Sequence, residues 1–179
     1  MLTLSTQRMF RMILFCSFLI ISFQPVFSQK KLIQNLRFNQ LSTLNGLPTN
    51  EVHCLYQDKD GYIWMATTNG LCQFDGYQVK IFKSNLYTPG LLTNNNISSL
   101  AEDSHHNLYI GTFDGLNIMD KTTQKIRKSK NENFRNNLIS NVLITKNDQV
   151  LIGTDTGLFQ YFPENDSCSV FDYRNTRNI

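Results

Sequence analysis

From Val52 onward the hydrophobic residues come in short runs broken by Asn, Asp and Gly, the pattern of brief strands joined by tight turns. The clearest stretch predicts four strands, at residues 52–57, 62–67, 71–75 and 78–82. Asp58-Lys59-Asp60-Gly61 and Asp75-Gly76 mark hairpin turns between them. Asn69-Gly70 and Asp114-Gly115 supply residues that tolerate positive φ and predict type I′ turns. The second strand of each unit is apolar at consecutive positions: Tyr62 to Ala66, then Leu108 to Gly111, then Val150 to Gly153. A strand apolar on both sides is covered on both sides.

The same grammar recurs. VHCLYQDKDGYIWMATTNGLCQFDG from Val52, ISSLAEDSHHNLYIGTFDGLNIMD from Ile97 and VLITKNDQVLIGTDTGLFQY from Val142 superimpose on a Thr-x-x-Gly-Leu core. That core is Thr67, Gly70 and Leu71, then Thr112, Gly115 and Leu116, then Thr154, Gly157 and Leu158, at intervals of 45 and 42 residues. A four-stranded sheet sandwiched between two like it, at this period, is a propeller blade. The fold class is therefore all-β, an incomplete β-propeller of about three four-stranded blades with a leading closure strand near residues 36–41. Gly111 and Gly153, with Ala66 at the equivalent place, are small where inner strands crowd, and Trp64, Tyr109 and Leu151 are the large residues packing blade on blade. In the third copy Lys146 stands where an acidic residue is expected, and His53 aligns with Ser98 and Leu143, a position of no fixed chemistry.

Residues 1–28 read as a signal peptide: Arg8 and Arg11, an apolar run over 12–23, Pro25, and small Ser28 before the cleavage point. The divisions that follow are a leading segment with the closure strand at 29–41 and repeats at 42–84, 85–130 and 131–179. Three blades fall short of the four to eight of a closed ring, so further blades in the same chain or from a second chain are the expected partners. The formal net charge is +3, and two of those charges belong to the export signal, which leaves no nucleic-acid footprint. The cluster Lys121, Lys125, Arg127, Lys128 and Lys130 reads as a solvated strand face.

Little chemistry stands out, and no catalytic, metal or cofactor residue is nominated. Cys54 and Cys72 fall on strands one and three of a blade, beyond disulfide reach, and Cys168 is alone. His105-His106 occupies a turn without zinc-like spacing, and Asp58 and Asp60 open like a calcium loop that Trp64 continues as strand. Asp75, Asp114, Asp120 and Asp155 are turn residues. The long linkers at 84–96 and 131–141, with the Asn69 and Asp114 turns beside them, are where ligand contacts are expected.

Residues 45–82 (NGLPTNEVHCLYQDKDGYIWMATTNGLCQFDGYQVKIF) resemble the repeat of two-component regulator propellers: Gly46-Leu47-Pro48, Asp58, Asp60-Gly61, Ile63-Trp64, Thr67, Asn69-Gly70-Leu71 and Phe74-Asp75-Gly76 are in register. The second copy keeps Asp103, Gly111-Thr112 and Asp114-Gly115-Leu116, with Tyr109 for tryptophan, and the third keeps Gly153-Thr154 and Gly157-Leu158. The resemblance implies the periplasmic sensor region of a hybrid two-component histidine kinase of Bacteroidetes, exported and non-enzymatic, with an oligosaccharide as ligand. It places the membrane span, kinase and DNA-binding parts beyond Ile179. A propeller lyase or glycosidase, and a secreted homo-oligomer closing a six-blade ring, are the competing classes.

Overall fold

The computed structural model describes residues 39–85 and 91–171. The export signal, nearly all of the leading segment and residues 172–179 lie outside them. A one-turn 3-10 helix, Thr43–Asn45, precedes twelve strands. The first sheet holds β1 (Val52–Gln57), β2 (Ile63–Thr67), β3 (Gly70–Phe74) and β4 (Val79–Phe82). The second holds β5 (Ile97–Glu102), β6 (Asn107–Thr112), β7 (Gly115–Asp120) and β8 (Lys125–Lys128), and the third β9 (Ile139–Ile144), β10 (Val150–Thr154), β11 (Gly157–Phe162) and β12 (Ser167–Val170). Each is an antiparallel meander in chain order, and the three are blades of an incomplete propeller within one compact unit beginning at Gln40.

The strands begin and end within a residue of their expected positions, and the differences have local causes. Tyr62 is drawn out of the second strand because its N–H donates to Asp58 Oδ1, and its carbonyl accepts from the Asp58 N–H. The β2–β3 turns are not type I′. Only the glycine takes positive φ, +121° at Gly70 and +104° at Gly115, whereas type I′ needs it at both central residues, and neither Asn69 nor Asp114 complies. What replaces it is a threonine lock. Thr67 Oγ1 donates to the Gly70 carbonyl and accepts from the Asn69 N–H, and Thr112 and Thr154 repeat the same pair of bonds with Gly115 and Asp114, and with Gly157 and Thr156.

Each innermost strand carries a register shift at its start, between Val52 and Cys54, Ile97 and Ser99, and Ile139 and Asn141. The bulged residues are His53, Ser98 and Ser140, so Ser140 and not Leu143 is the third equivalent of His53. The position has a chemistry after all. His53 Nδ1 lies 2.9 Å from the carbonyl of Ile97, the first residue of the next blade's inner strand, and Ser98 Oγ donates to the carbonyl of Ile139, its counterpart one blade further on.

Two apolar layers hold the blades together. Between the first and second sit Trp64, Leu71, Leu100, Leu108 and Ile110, and between the second and third Tyr109, Leu116, Phe134, Ile152 and Tyr161. Tyr109 and Phe134 each meet the Tyr161 ring edge-on, at 6.3 and 5.6 Å. Burying each such large side chain contributes about 2 to 3 kcal/mol. Leu151 does not join this packing: it alternates with Val150 and Ile152, which face the second blade, and so points the other way. A Cβ built on Gly111 would fall 2.5 Å from Ser99 Oγ and 2.9 Å from Ile139 Cγ2, which explains the missing side chain where two blades converge.

Candidate functional site

Two polar assemblies tie the blades together at opposite ends of the strands. The first grows from the β1–β2 turn. Asp58 Oδ1 accepts from the N–H groups of Asp60 and Tyr62, and Oδ2 accepts from Trp64 Nε1 at 2.7 Å. Asp103 repeats this with the N–H groups of His105 and Asn107 and with the Tyr109 hydroxyl at 3.0 Å. The third equivalent is Thr145, which accepts from the Gln149 N–H, and not the neighbouring Lys146. Thr145 and Leu151 go together: a leucine side chain has no N–H or O–H to offer a carboxylate.

Lys121 corrects a larger expectation. It does not lie on a solvated strand face: its side chain is 6% exposed, and its Nζ stands 2.9 Å from Asp58, Asp60 and Glu102 at once. Asp58 and Asp60 are thus more than turn residues; with Glu102 they make an ion cluster that joins the first blade to the second. Burial opposes the Asp58 charge, but the bonds from Trp64 and Lys121 outweigh it and hold this carboxyl below its ordinary value. Burial likewise opposes the Lys121 charge, and the three carboxylates outweigh it, raising its pKa. Lys59 Nζ adds a bond to the Asp103 carbonyl, and Ser104 reaches Asp148 of the third blade. His105 and His106 stand 3.4 and 3.5 Å from Asp148 and Glu102, and among the described residues no group of His, Cys, Asp and Glu side chains could hold a metal.

The second assembly is at the other end, where the threonine-locked turns meet the linkers. The Gly70 N–H donates to the Asn95 carbonyl at 2.7 Å, and the Gly115 N–H to the Asn137 carbonyl at 2.9 Å. The two long linkers are largely structural, because Leu92 and Phe134 are buried in the inter-blade layers. The remaining linker residues do come together with the Asp114 turn. A cavity of about 450 Å³ opens there, lined by Thr93, Asp114, Lys128, Lys130, Arg135 and Asn136, with Leu116 and Phe134 beneath, a size that suits a small ligand. Asp166 fixes one wall by accepting from Ser129 Oγ and the Lys130 N–H, both at 2.6 Å. It also accepts from the Tyr161 hydroxyl, and burial together with this bond pushes Tyr161 up to about 12. Arg135 pairs with Glu132 at 3.3 Å, while Lys128 and Asp114 form no side-chain bond among the described residues. The Asn69 turn borders a shallow, open depression with Pro48, Asn50 and Glu51.

Among the residues expected to carry the repeat, Trp64, Thr67, Leu71, Thr112 and Leu116 are buried; Gly153 and Thr154 are half-buried, and Gly157 and Leu158 are exposed. Cys54 and Cys72 lie on β1 and β3 with β2 between them, and burial pushes the Cys72 thiol up to about 11. Sequence reasoning missed Lys121 and the linker pattern. Leu47, Leu92 and Phe134 each stand five residues before an inner strand, and Asn50, Asn95 and Asn137 each stand two before it. That recurrence was the signal that could have revealed the linker's role.

Comparison with known proteins agrees with this architecture. The extracellular domain of BT4673 from B. thetaiotaomicron, described as a hybrid two component system, superimposes with a TM-score of 0.59 at 28% identity, over 75% of this chain and 18% of that one. "Histidine kinase P4" of Formosa agariphila is 38% identical over 76 residues, which is 42% of this chain and 5% of that protein. The chain therefore spans a small fraction of the length of these relatives. Virginiamycin B lyase from Staphylococcus aureus, at 15% identity and a TM-score of 0.55 over 73% of this chain and 44% of that one, shares the fold alone. The family model described as "Two component regulator propeller" matches residues 46–69 and 91–114, each running from a linker's last residues through β1 and β2, or β5 and β6, into the threonine-locked turn. In its first two blades the chain is similar to two-component regulator propeller repeats.

Proposed function

We propose that this chain is the ligand-sensing part of an exported two-component sensor, working outside the cytoplasmic membrane by binding an oligosaccharide rather than by catalysis. The observation that carries this reading is its 28% identity with the extracellular domain of BT4673 across three quarters of the chain. Export through the N-terminal signal at residues 1–28, with periplasmic residence, fits the same reading. The non-enzymatic part is supported by the buried carboxylates. Asp58 and Glu102 are engaged by Lys121, and Asp103 by Asn107 and Tyr109, which leaves none of them available as an acid or base. Kinase activity belongs, on this reading, to a part of the protein beyond these repeats.

The ligand is placed in the cavity between the second and third blades, where Lys128 and Asp114 offer uncommitted polar groups over a rigid frame. Calorimetric titration of the native protein with neutral and acidic oligosaccharides of two to eight sugars tests this. One class should bind, and Lys128→Ala or Asp114→Asn should weaken it by about tenfold, the loss of one good hydrogen bond. Absence of binding by every sugar at millimolar concentration overturns the reading, and binding that both variants leave intact overturns the placement.

A further inference from the structure

The two blade junctions share one plan, but the space beside the threonine-locked turn is filled differently in each. In the first blade the β3–β4 ladder sets Phe82 opposite Leu71, and the Phe82 ring packs on Trp64 at 5.8 Å. In the second blade the β7–β8 ladder runs on to Ser129, whose N–H donates to the Leu116 carbonyl. A serine therefore stands where the first blade has a phenylalanine. A hydroxyl in place of a ring leaves room, and Ser129 forms part of the wall of the cavity of about 450 Å³.

The charges around that space differ in the same way. Lys83, the residue after Phe82, is spent locally: its Nζ donates to Asn69 Oδ1 in the turn at 3.0 Å. Its counterpart Lys130 shares the cavity wall with Asp114, which replaces Asn69, yet neither side chain forms a bond among the described residues. Lys128 adds a second uncommitted ammonium group where the first blade has Ile81. Arg135 and Glu132 balance each other, and Asp166 is consumed by Ser129 Oγ, the Lys130 N–H and the Tyr161 hydroxyl. What remains is two ammonium groups against one carboxylate.

We propose that this cavity takes an acidic sugar, one whose seated unit carries a single anionic group, a carboxylate or a sulfate ester. Lys128 and Lys130 hold the anion through charge-assisted hydrogen bonds, which are stronger than those to a neutral hydroxyl. Asp114 accepts from neighbouring sugar hydroxyls, which its two oxygens can do in pairs, and it repels a second anion from its end of the cavity. A neutral sugar meets the same walls but gives neither lysine a counter-charge, and that difference is the source of the selectivity. This inference rests on the reading of the cavity as the sensing site and names the class of sugar that it takes.

Calorimetric titration of the native protein with matched trisaccharides tests the point. Trimers of galacturonic, mannuronic and guluronic acid are each compared with their carboxyl-reduced forms, and a sulfated galactose trimer with its desulfated form. At least one acidic member should bind about tenfold or more tightly than its neutral counterpart, the worth of one charge-assisted bond, and the pair that shows this identifies the anion. Lys128→Met combined with Lys130→Met, two exposed positions on which the fold does not depend, should bring that pair within about threefold. A native preference below about tenfold, or one above about threefold in the double variant, overturns the inference. Binding by neutral sugars alone overturns it too and leaves the sensing reading standing, whereas binding by no sugar, neutral or acidic, overturns both.

Discussion

Replacing Lys121 by methionine removes the cation that contacts all three carboxylates while keeping most of the side chain's volume. Each of its three contacts is 2.9 Å long. At an effective dielectric constant of about 20, each is a gross attraction of roughly 6 kcal/mol, most of which desolvation has already offset. The loss is larger than the net worth of the pair, because Asp58 and Glu102 have no side-chain exposure and lose their shared cation, leaving only the half-exposed His106 beside Glu102. Lys121→Met should therefore cost about 3 to 5 kcal/mol at pH 7, read by urea denaturation. Asp60→Asn should cost under about 1 kcal/mol, since Asp60 is 51% exposed. The pH dependence is the sharper readout. In the parent protein the lowered Asp58 pKa gives stability that is present above the ordinary 3.8 and lost as pH falls through the lowered value. The raised Lys121 pKa gives stability present below 10.5 and lost only as pH rises through the raised value. The Asp58–Lys121 pair thus contributes no pH dependence between about 4 and 10. In the variant Asp58 loses the Lys121 contribution that lowers its pKa while burial still raises it, so its share of stability should shrink and the loss on acidification should be smaller than in the parent. A loss below about 1 kcal/mol, or a variant that tracks the parent's pH profile, refutes the argument.

Three further outcomes follow from single contacts. Trp64→Phe leaves Asp58 Oδ2 short of its 2.7 Å partner and should cost about 1 to 3 kcal/mol by chemical denaturation; a neutral change would show that the bond carries nothing. Gly111→Ala should destabilise by about 1 to 3 kcal/mol, because its Cβ meets packed atoms of two blades. Gly153→Ala should cost less, since the nearest atom is the rotatable Ser140 hydroxyl at 3.0 Å; equal thermal shifts would contradict this. Iodoacetamide at pH 8 should modify half-buried Cys168 well before Cys72, whose burial raises its pKa to about 11, and mass spectrometry of the native protein would expose the reverse order.

The blade itself was legible in the sequence because its turns need particular residue types. A threonine that both donates and accepts, and a glycine at positive φ, cannot be exchanged freely, so Thr-x-x-Gly-Leu shows through three divergent copies. The same local strength made the turn type easy to mistake, since Asn-Gly and Asp-Gly serve more than one turn. What did not show was anything made between blades. Lys121 follows β7 in a run of basic residues, and nothing in that run says that the turn of the first blade lies over it. The cavity was half legible: both linkers and the Asp114 turn pointed to it, but spacing alone could not separate Leu92 and Phe134, which are buried, from Lys130 and Asn136, which line the wall. The third copy misaligned, by three residues on its inner strand and by one at its turn, because Thr145 stands there in place of the aspartate that marks the other two.

The fastening from one inner strand to the next has a bearing on how such arrays change. His53 and Ser98 differ in size and chemistry, yet both address a main-chain oxygen, which every amino acid possesses. The receiving blade therefore needs no matching side chain at that point, and only the donor side is restricted. At this one contact, unlike the Lys121 cluster, exchanging a unit with its neighbour would leave the acceptor in place. That freedom lets the bulged residue differ from blade to blade, as His53, Ser98 and Ser140 do, while the strand-to-strand spacing stays the same.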